Sequence, residues 1–416
     1  MKYLSTVLLM SCLLTIGFAQ DIKIGKRDSL YSKVLGENRP FSVYLPPSYN
    51  TSVNQKYPVL YILDGDYNFQ YVAGLLELQG GISEFIPETI LIAISGKGST
   101  EYRKNCKPNI EGIVDKGNAD EVADFIENEL IPYVNSHYKA ANFKILAGHS
   151  VGGLFVINTA LNHPSLFNHY IAISPALWWA DNAINKVAKE IISENKEFQA
   201  SVYISLANEK GMGVDKFLTV VEKATGNKSS KLFPFKKFEN ENHNSVGEPT
   251  YKWALKDIFK EWRVEKEFFS SAAELKSHYD KVSSAYGSTF NIPTTYIGYT
   301  HYTLKDKEKE LQLVQEDLKS INPNAYVNFN TYRAGKLIEE DTKQAEILVN
   351  EAIELNPNSF DSYNILAKIK LFQGELELAD SLSVKSIEMA KKYEARQWQM
   401  NELEETHKQI KERLNQ

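Results

Sequence analysis

The residues best suited to chemistry are Gly148-His149-Ser150-Val151-Gly152, followed by Gly153. They lie directly after the β-rich run FKILA (143–147) and directly before the helical run LFVINTAL. A G-x-S-x-G at a strand-to-helix junction predicts a sharp turn that lifts the serine hydroxyl clear of the backbone, with glycines on both sides removing steric clash. The start of the following helix favours negative charge developing beside Ser150. Such a serine is an acyl-transfer nucleophile, and at neutral pH it needs a base.

Eight histidines are present. His137, His149, His163 and His169 lie before or close to Ser150, and His278, His301 and His407 fall in a helical tail. With the chain order serine, acid, histidine, His243 in the loop KFENENHNSVGEP is the expected base. The acid that orients it should follow the strand VYISL (202–206), where the chain reads ANEKGMGVD. Glu209 is the better placed candidate and Asp215 the alternative; a Ser-His pair with little help from an acid is also compatible with the sequence. The oxyanion needs two amide donors. The first is expected from Val151 and the second from Leu63-Asp64-Gly65-Asp66, at the Asp66 amide, although Asp-Gly also makes plain turns.

These residues need a scaffold. From Phe41 to about Trp262, short β-rich runs alternate with helical patterns: FSVYLP (41–46), PVLYIL (58–63), TILIAI (89–94), FKILA (143–147), YIAIS (170–174) and VYISL (202–206). Several are almost continuously apolar, which predicts strands buried on both faces of a mainly parallel sheet with helices on both sides. Helices are expected at Ala119–Tyr138, Gly152–Leu161, Ala183–Ile192, Val214–Ala224 and Pro249–Trp262. The expected class is α/β with an α/β-hydrolase-like order of site residues.

Beyond about Glu265 the chain becomes glycine-poor, charged and helical in pattern. Ala345 and Ala379 stand 34 residues apart, with Ala352, Pro357 and Gly374 between them. That spacing resembles tetratricopeptide repeats, in which small residues let paired helices pack closely. About two units are expected over residues 326–392. Because about three repeats are needed for independent stability, the tail should lean on a neighbouring helix or on the preceding domain. It serves either to bind a protein partner or as a structural appendage. The expected organisation is a signal peptide at 1–19, a hydrolase domain at 20–265, a helical linker region at 266–325 and an all-α tetratricopeptide-like region at 326–416.

The first residues, MKYLSTVLLMSCLLTIGFAQ, combine Lys2, an apolar run from Val7 to Ile16 and small residues at Gly17 and Ala19. This predicts a secretory signal peptide and a periplasmic or secreted protein; the run is too short and interrupted for a membrane span. Removal of residues 1–19 leaves 46 basic against 53 acidic residues, a net of −7. That balance gives no reason to expect nucleic acid or an anionic membrane as partner. Cys106 is then the sole cysteine, which excludes an intramolecular disulfide and a cysteine zinc cluster. No metal or organic cofactor is expected.

Four motifs in order carry a family resemblance: S-x-x-L-G-E-N-R-P-F-S-V-Y-L-P-P-S-Y (32–49), Y-P-V-L-Y-I-L-D-G-D-x-N-F (57–69), A-G-H-S-V-G-G (147–153) and S-P-A-L-W-W (174–179). The stretch from about 28 to 262 resembles the putative esterase family of α/β-hydrolases, closest to its enterochelin esterase-like, siderophore hydrolase branch. The resemblance implies an α/β-hydrolase fold, catalysis by Ser150 and His243, and Trp178 and Trp179 beside the nucleophile; burial of either tryptophan in the core is the alternative. Relatives carry an R-D-L-T-P-like loop where this chain reads Tyr102-Arg103-Lys104-Asn105-Cys106-Lys107-Pro108. Arg103 would then contact an anionic or polyphenolic substrate, or be an ordinary exposed base. The function expected is serine-dependent hydrolysis of a small-molecule carboxylic ester; acyl transfer, or ligand binding by a retired hydrolase fold, are the alternatives.

Overall fold

The computed structural model describes residues 23–194, 198–263, 272–287, 293–321 and 323–416. The segment 1–19 and the boundary near 265 lie outside these residues. Eight strands form one sheet: β1 Lys26–Ser32, β2 Glu37–Tyr44, β3 Tyr57–Ile62, β4 Ile90–Ile94, β5 Ala140–His149, β6 His169–Ile173, β7 Val202–Ala207 and β8 Phe235–Phe238. Their order is β1-β2-β4-β3-β5-β6-β7-β8. β1 and β2, and β2 and β4, are antiparallel, and every other pair is parallel. β3, β4 and β7 are buried along their whole length, as expected of parallel strands covered on both faces. β8, with two exposed lysines, closes the edge.

In the hydrolase part the helices are α1 Gly65–Leu76, α2 Ser99–Cys106, α3 Ala119–Phe125, α4 Ile131–His137, α5 Val151–Asn162, α6 Ile184–Glu194, α7 Val214–Thr225 and α8 Gly247–Ile258. The single helix expected at 119–138 is interrupted by a π-helical segment, Ile126–Leu130. Pro132 follows it in the first turn of α4, where its missing N–H breaks the regular ladder. One face of the sheet packs Tyr61, Leu146, Phe155 and Ile204 with residues of α3 to α7. The other packs Leu60, Ile62, Ile145 and Ile171 with α1 and α8.

The tail continues as α9 Ala272–Tyr286, α10 Thr294–Leu304, α11 Glu308–Ile321, α12 Pro323–Leu337, α13 Thr342–Leu355, α14 Phe360–Gln373, α15 Leu376–Lys392 and α16 Gln397–Leu414. Ala345, Ala352 and Ala379 are fully buried between these helices, and Gly374 ends α14 in a left-handed conformation, φ 80°. The tail leans on the hydrolase as expected. Tyr279, Tyr286, Leu311, Leu318 and Phe329 belong to the same core as Phe143, Phe259 and Trp262. The ring of Tyr286 meets Phe143 edge-on at 5.0 Å and Phe259 at 5.3 Å. Thus α9, α10 and α11, within the segment expected as a helical linker, share a core with the hydrolase part. Asn324 closes the joint with two hydrogen bonds to the Val53 backbone: its Oδ1 accepts from Val53 N at 2.7 Å and its Nδ2 donates to Val53 O at 2.8 Å. Asn356 Nδ2 donates to Thr51 O at 2.7 Å, and Arg396 to Gly81 O at 3.2 Å. Among the described residues no helix is long and apolar enough to cross a membrane.

Candidate active site

β5 ends at His149 and α5 begins at Val151, leaving Ser150 alone at the turn with φ 57° and ψ −115°. This is a strained setting for a residue with a side chain. Its neighbours make it feasible: a Cβ on Gly148 would fall 2.4 Å from Gly152 O, and one on Gly152 would fall 2.3 Å from the Tyr102 hydroxyl. The turn is pinned by Ser150 N donating to Ile173 O and Ala176 N donating to Ser150 O, both at 2.9 Å. The S-P-A-L-W-W segment therefore rests directly on the elbow.

A cavity of about 850 Å³ opens over this turn. Ser150, Val151, Asp66, Arg103, Trp178 and Trp179 all line it. Val151 and Asp66 occupy the first turns of α5 and α1, where no intrahelical carbonyl is available to their amides and the helix dipole favours negative charge. Asp64 turns the chain into α1 through a left-handed conformation, φ 57° and ψ 45°. The Asp66 carboxylate reaches across to the loop after β4, accepting from Ser95 Oγ at 2.8 Å and Gly96 N at 2.9 Å. Trp178 is half exposed at the cavity wall, whereas Trp179 is buried and belongs both to the wall and to the core. Arg103 is exposed at the cavity.

His243 and Glu209 come from two loops stitched together by Asn208 N donating to Glu241 O at 2.9 Å. The Asn242 side chain caps the turn that carries His243, accepting from Asn244 N at 2.9 Å and Ser245 N at 3.2 Å. His243 Nδ1 lies 2.9 Å from Glu209 Oε2 and 3.2 Å from Oε1. A carboxylate only accepts, so in this pair Nδ1 carries a proton, and the neutral ring keeps Nε2 as an acceptor. Asp215, the alternative acid, is exposed in the first turn of α7.

Other residues of the site carried no local signal in the sequence. Tyr102 and Lys107 line the cavity; both belong to the basic stretch after β4, but nothing in that stretch shows which side chains turn inward. The Tyr102 hydroxyl donates to His149 O at 3.2 Å. Lys107 pairs with Asp115 at 2.5 Å on the cavity rim. Burial, reinforced by the Asp66 charge, pushes the Asp64 carboxyl up to about 6. Burial also depresses His149 to about 4. Outside the cavity, Asp124, Glu127 and His163 place ligand atoms within 4.8 Å of one another at the surface.

A serine held in this conformation at a strand-to-helix elbow, on a mainly parallel eight-stranded sheet, defines an α/β-hydrolase fold. The chain belongs to the Putative esterase family, whose family model matches residues 32–257. Siderophore triacetylfusarinine C esterase of Aspergillus fumigatus is 31% identical over 148 residues, 33% of this chain and 51% of that protein. Ferri-bacillibactin esterase BesA of Bacillus subtilis is 27% identical over 190 residues, 41% of this chain and 65% of that protein. The match thus spans about half to two-thirds of the length of these curated relatives. Among solved structures, an IroE-like serine hydrolase from Shewanella oneidensis shares the fold with a TM-score of 0.59 at 23% identity, over 71% of this chain and 98% of its own. An uncharacterised protein from Capnocytophaga ochracea has a TM-score of 0.56 at 15% identity, over 84% of this chain and 99% of its own. The family match ends at residue 257, so that likeness takes in helices of the tail.

Proposed function

We propose that the protein is an exported serine hydrolase that cleaves small-molecule carboxylic esters of siderophore type through an acyl-Ser150 intermediate. The observation that carries this reading is the Glu209–His243 pair, at 2.9 Å, with the His243 ring 4.5 Å from the ring of His149, the residue that precedes an elbow serine lining a cavity. His243 Nε2 takes the Ser150 proton as Oγ attacks the ester carbonyl, and Glu209 stabilises the imidazolium that forms. The Val151 and Asp66 amides receive the oxyanion. Collapse of that intermediate breaks the ester C–O bond, with His243 returning its proton to the departing alcohol. Water, deprotonated by His243, then releases the acid and restores Ser150. Trp178 and Trp179 flank the bound ester, and exposed Arg103 attracts anionic or polyphenolic groups. The relatives named for siderophore ester cleavage support this substrate class. Residues 1–19 direct export to the periplasm or the medium. The tail braces the hydrolase, a role supported by the shared core and the Asn324 and Asn356 contacts.

The test is a screen of siderophore esters, feruloyl esters, acetylated sugars and short-chain nitrophenyl esters, with a competing alcohol present and products identified. Release of free acid, fastest from siderophore esters, is expected. Transfer of the acyl group to the alcohol would replace hydrolysis by transferase chemistry. No turnover of any ester would leave a binding protein.

A further inference from the structure

The residue before the nucleophile is a histidine whose own role the triad does not use. In β5 the side chains of Ile145 and Ala147 point to the face covered by α1 and α8, and the two-residue period of a strand places His149 on that same face. There its ring meets the ring of His243, with centroids 4.5 Å apart and planes inclined at 42°. Its Nε2 is buried and has no hydrogen-bond partner among the described residues. The Tyr102 hydroxyl of α2 fixes its carbonyl, so the backbone on which this ring is mounted is held as well.

We propose that His149 is a positioning residue for His243: its ring supports one face of the His243 imidazole while Glu209 holds the Nδ1 edge, so that Nε2 is presented to Ser150. This rests on the hydrolase reading of the site. Glu209 alone leaves the His243 ring free to swing about the Nδ1 hydrogen bond; a second contact on the ring face removes that freedom. Burial, reinforced by the charge of His243, disfavours protonation of the His149 ring; a hydrogen bond to the His243 backbone and the Glu209 carboxylate favour it but are outweighed, which keeps the ring neutral near pH 7. A neutral ring adds no repulsion when His243 becomes an imidazolium during turnover. His149 needs shape and neutrality here, not proton transfer.

The test uses the full chain with His149→Ala, His149→Leu and His149→Phe. With a nitrophenyl ester, His149→Ala is expected to lower kcat by at least about tenfold with KM little changed, because small misplacement of a catalytic group is costly. His149→Phe, which restores a neutral ring, is expected to recover most of that loss, and His149→Leu is not. Should the alanine variant fail to fold, the leucine and phenylalanine pair reads the same contrast. Wild-type kcat in the alanine or leucine variant, or equal losses in leucine and phenylalanine, would overturn the proposal. The downfield proton resonance of the His243 Nδ1–H···Glu209 bond reads the same positioning without turnover. It is expected in wild type and His149→Phe and broadened in His149→Ala and His149→Leu. An equally sharp resonance in every variant would overturn the proposal, whereas wild-type protein that turns over no ester but shows this pattern would contradict only the hydrolase reading.

Discussion

His243 Nδ1 and Glu209 Oε2 lie 2.9 Å apart although they are 34 residues apart in the chain, one on the loop after β8 and the other on the loop after β7. Of the two acids that the sequence offered, it is Glu209 that the fold brings to His243. Glu209→Gln should reduce kcat by about 10²- to 10⁴-fold, since an amide presents the wrong partner to the Nδ1 proton. Asp215→Asn should leave kcat unchanged. Steady-state kinetics of the two variants decides the matter, and the reverse pattern would transfer the role to Asp215.

Six of the eight strands could be read in the sequence because β3 to β7 carry apolar runs, the mark of burial, and β2 ends in the β-prone FSVY. β1 and β8 lie at the two sheet edges and are largely exposed, so Lys26–Ser32 and Phe235–Phe238 offered no comparable run. α1 was missed because its sequence, GDYNFQYVAGLL, carries glycine and only short apolar stretches. The strand-to-helix elbow at Ser150 was legible from spacing and context, and the loop that carries His243 from chain order. Glu209 was ranked ahead of Asp215 by its place directly after β7, but only the fold of the turn decides which acid reaches His243. The inward-facing Tyr102 and the ring contact of His149 depend on residues far away in the chain.

Asp64 introduces a pH dependence distinct from that of the triad. Burial and Asp66 raise its carboxyl to about 6, so the protonated form prevails below that pH and the anion above it. Above pH 6 the anion faces the cavity in which the oxyanion must form. Asp64→Asn, which keeps a residue tolerant of the left-handed conformation, should raise kcat/KM a few-fold at pH 8 and change it little at pH 5. Rate–pH profiles of both proteins would show this; identical profiles would remove Asp64 from the electrostatics of the site.

The tail should contribute to the stability of the hydrolase. Asn324→Ala removes the two hydrogen bonds to Val53 and leaves its N–H and C=O without those partners, which should cost about 1–3 kcal/mol. Urea unfolding would measure the loss, and Thr51–Gln55 should become more open to proteolysis. An unchanged midpoint would separate the tail energetically from the domain it touches.

The proposed hydrolysis stands or falls with Ser150 as the nucleophile. Its most direct test is covalent labelling of the full chain with a fluorophosphonate, followed by peptide mass spectrometry. One equivalent of label is expected on Ser150, with loss of labelling and of ester turnover in Ser150→Ala and much slower labelling in His243→Ala. Undiminished turnover in Ser150→Ala, or label carried by another residue, would contradict it.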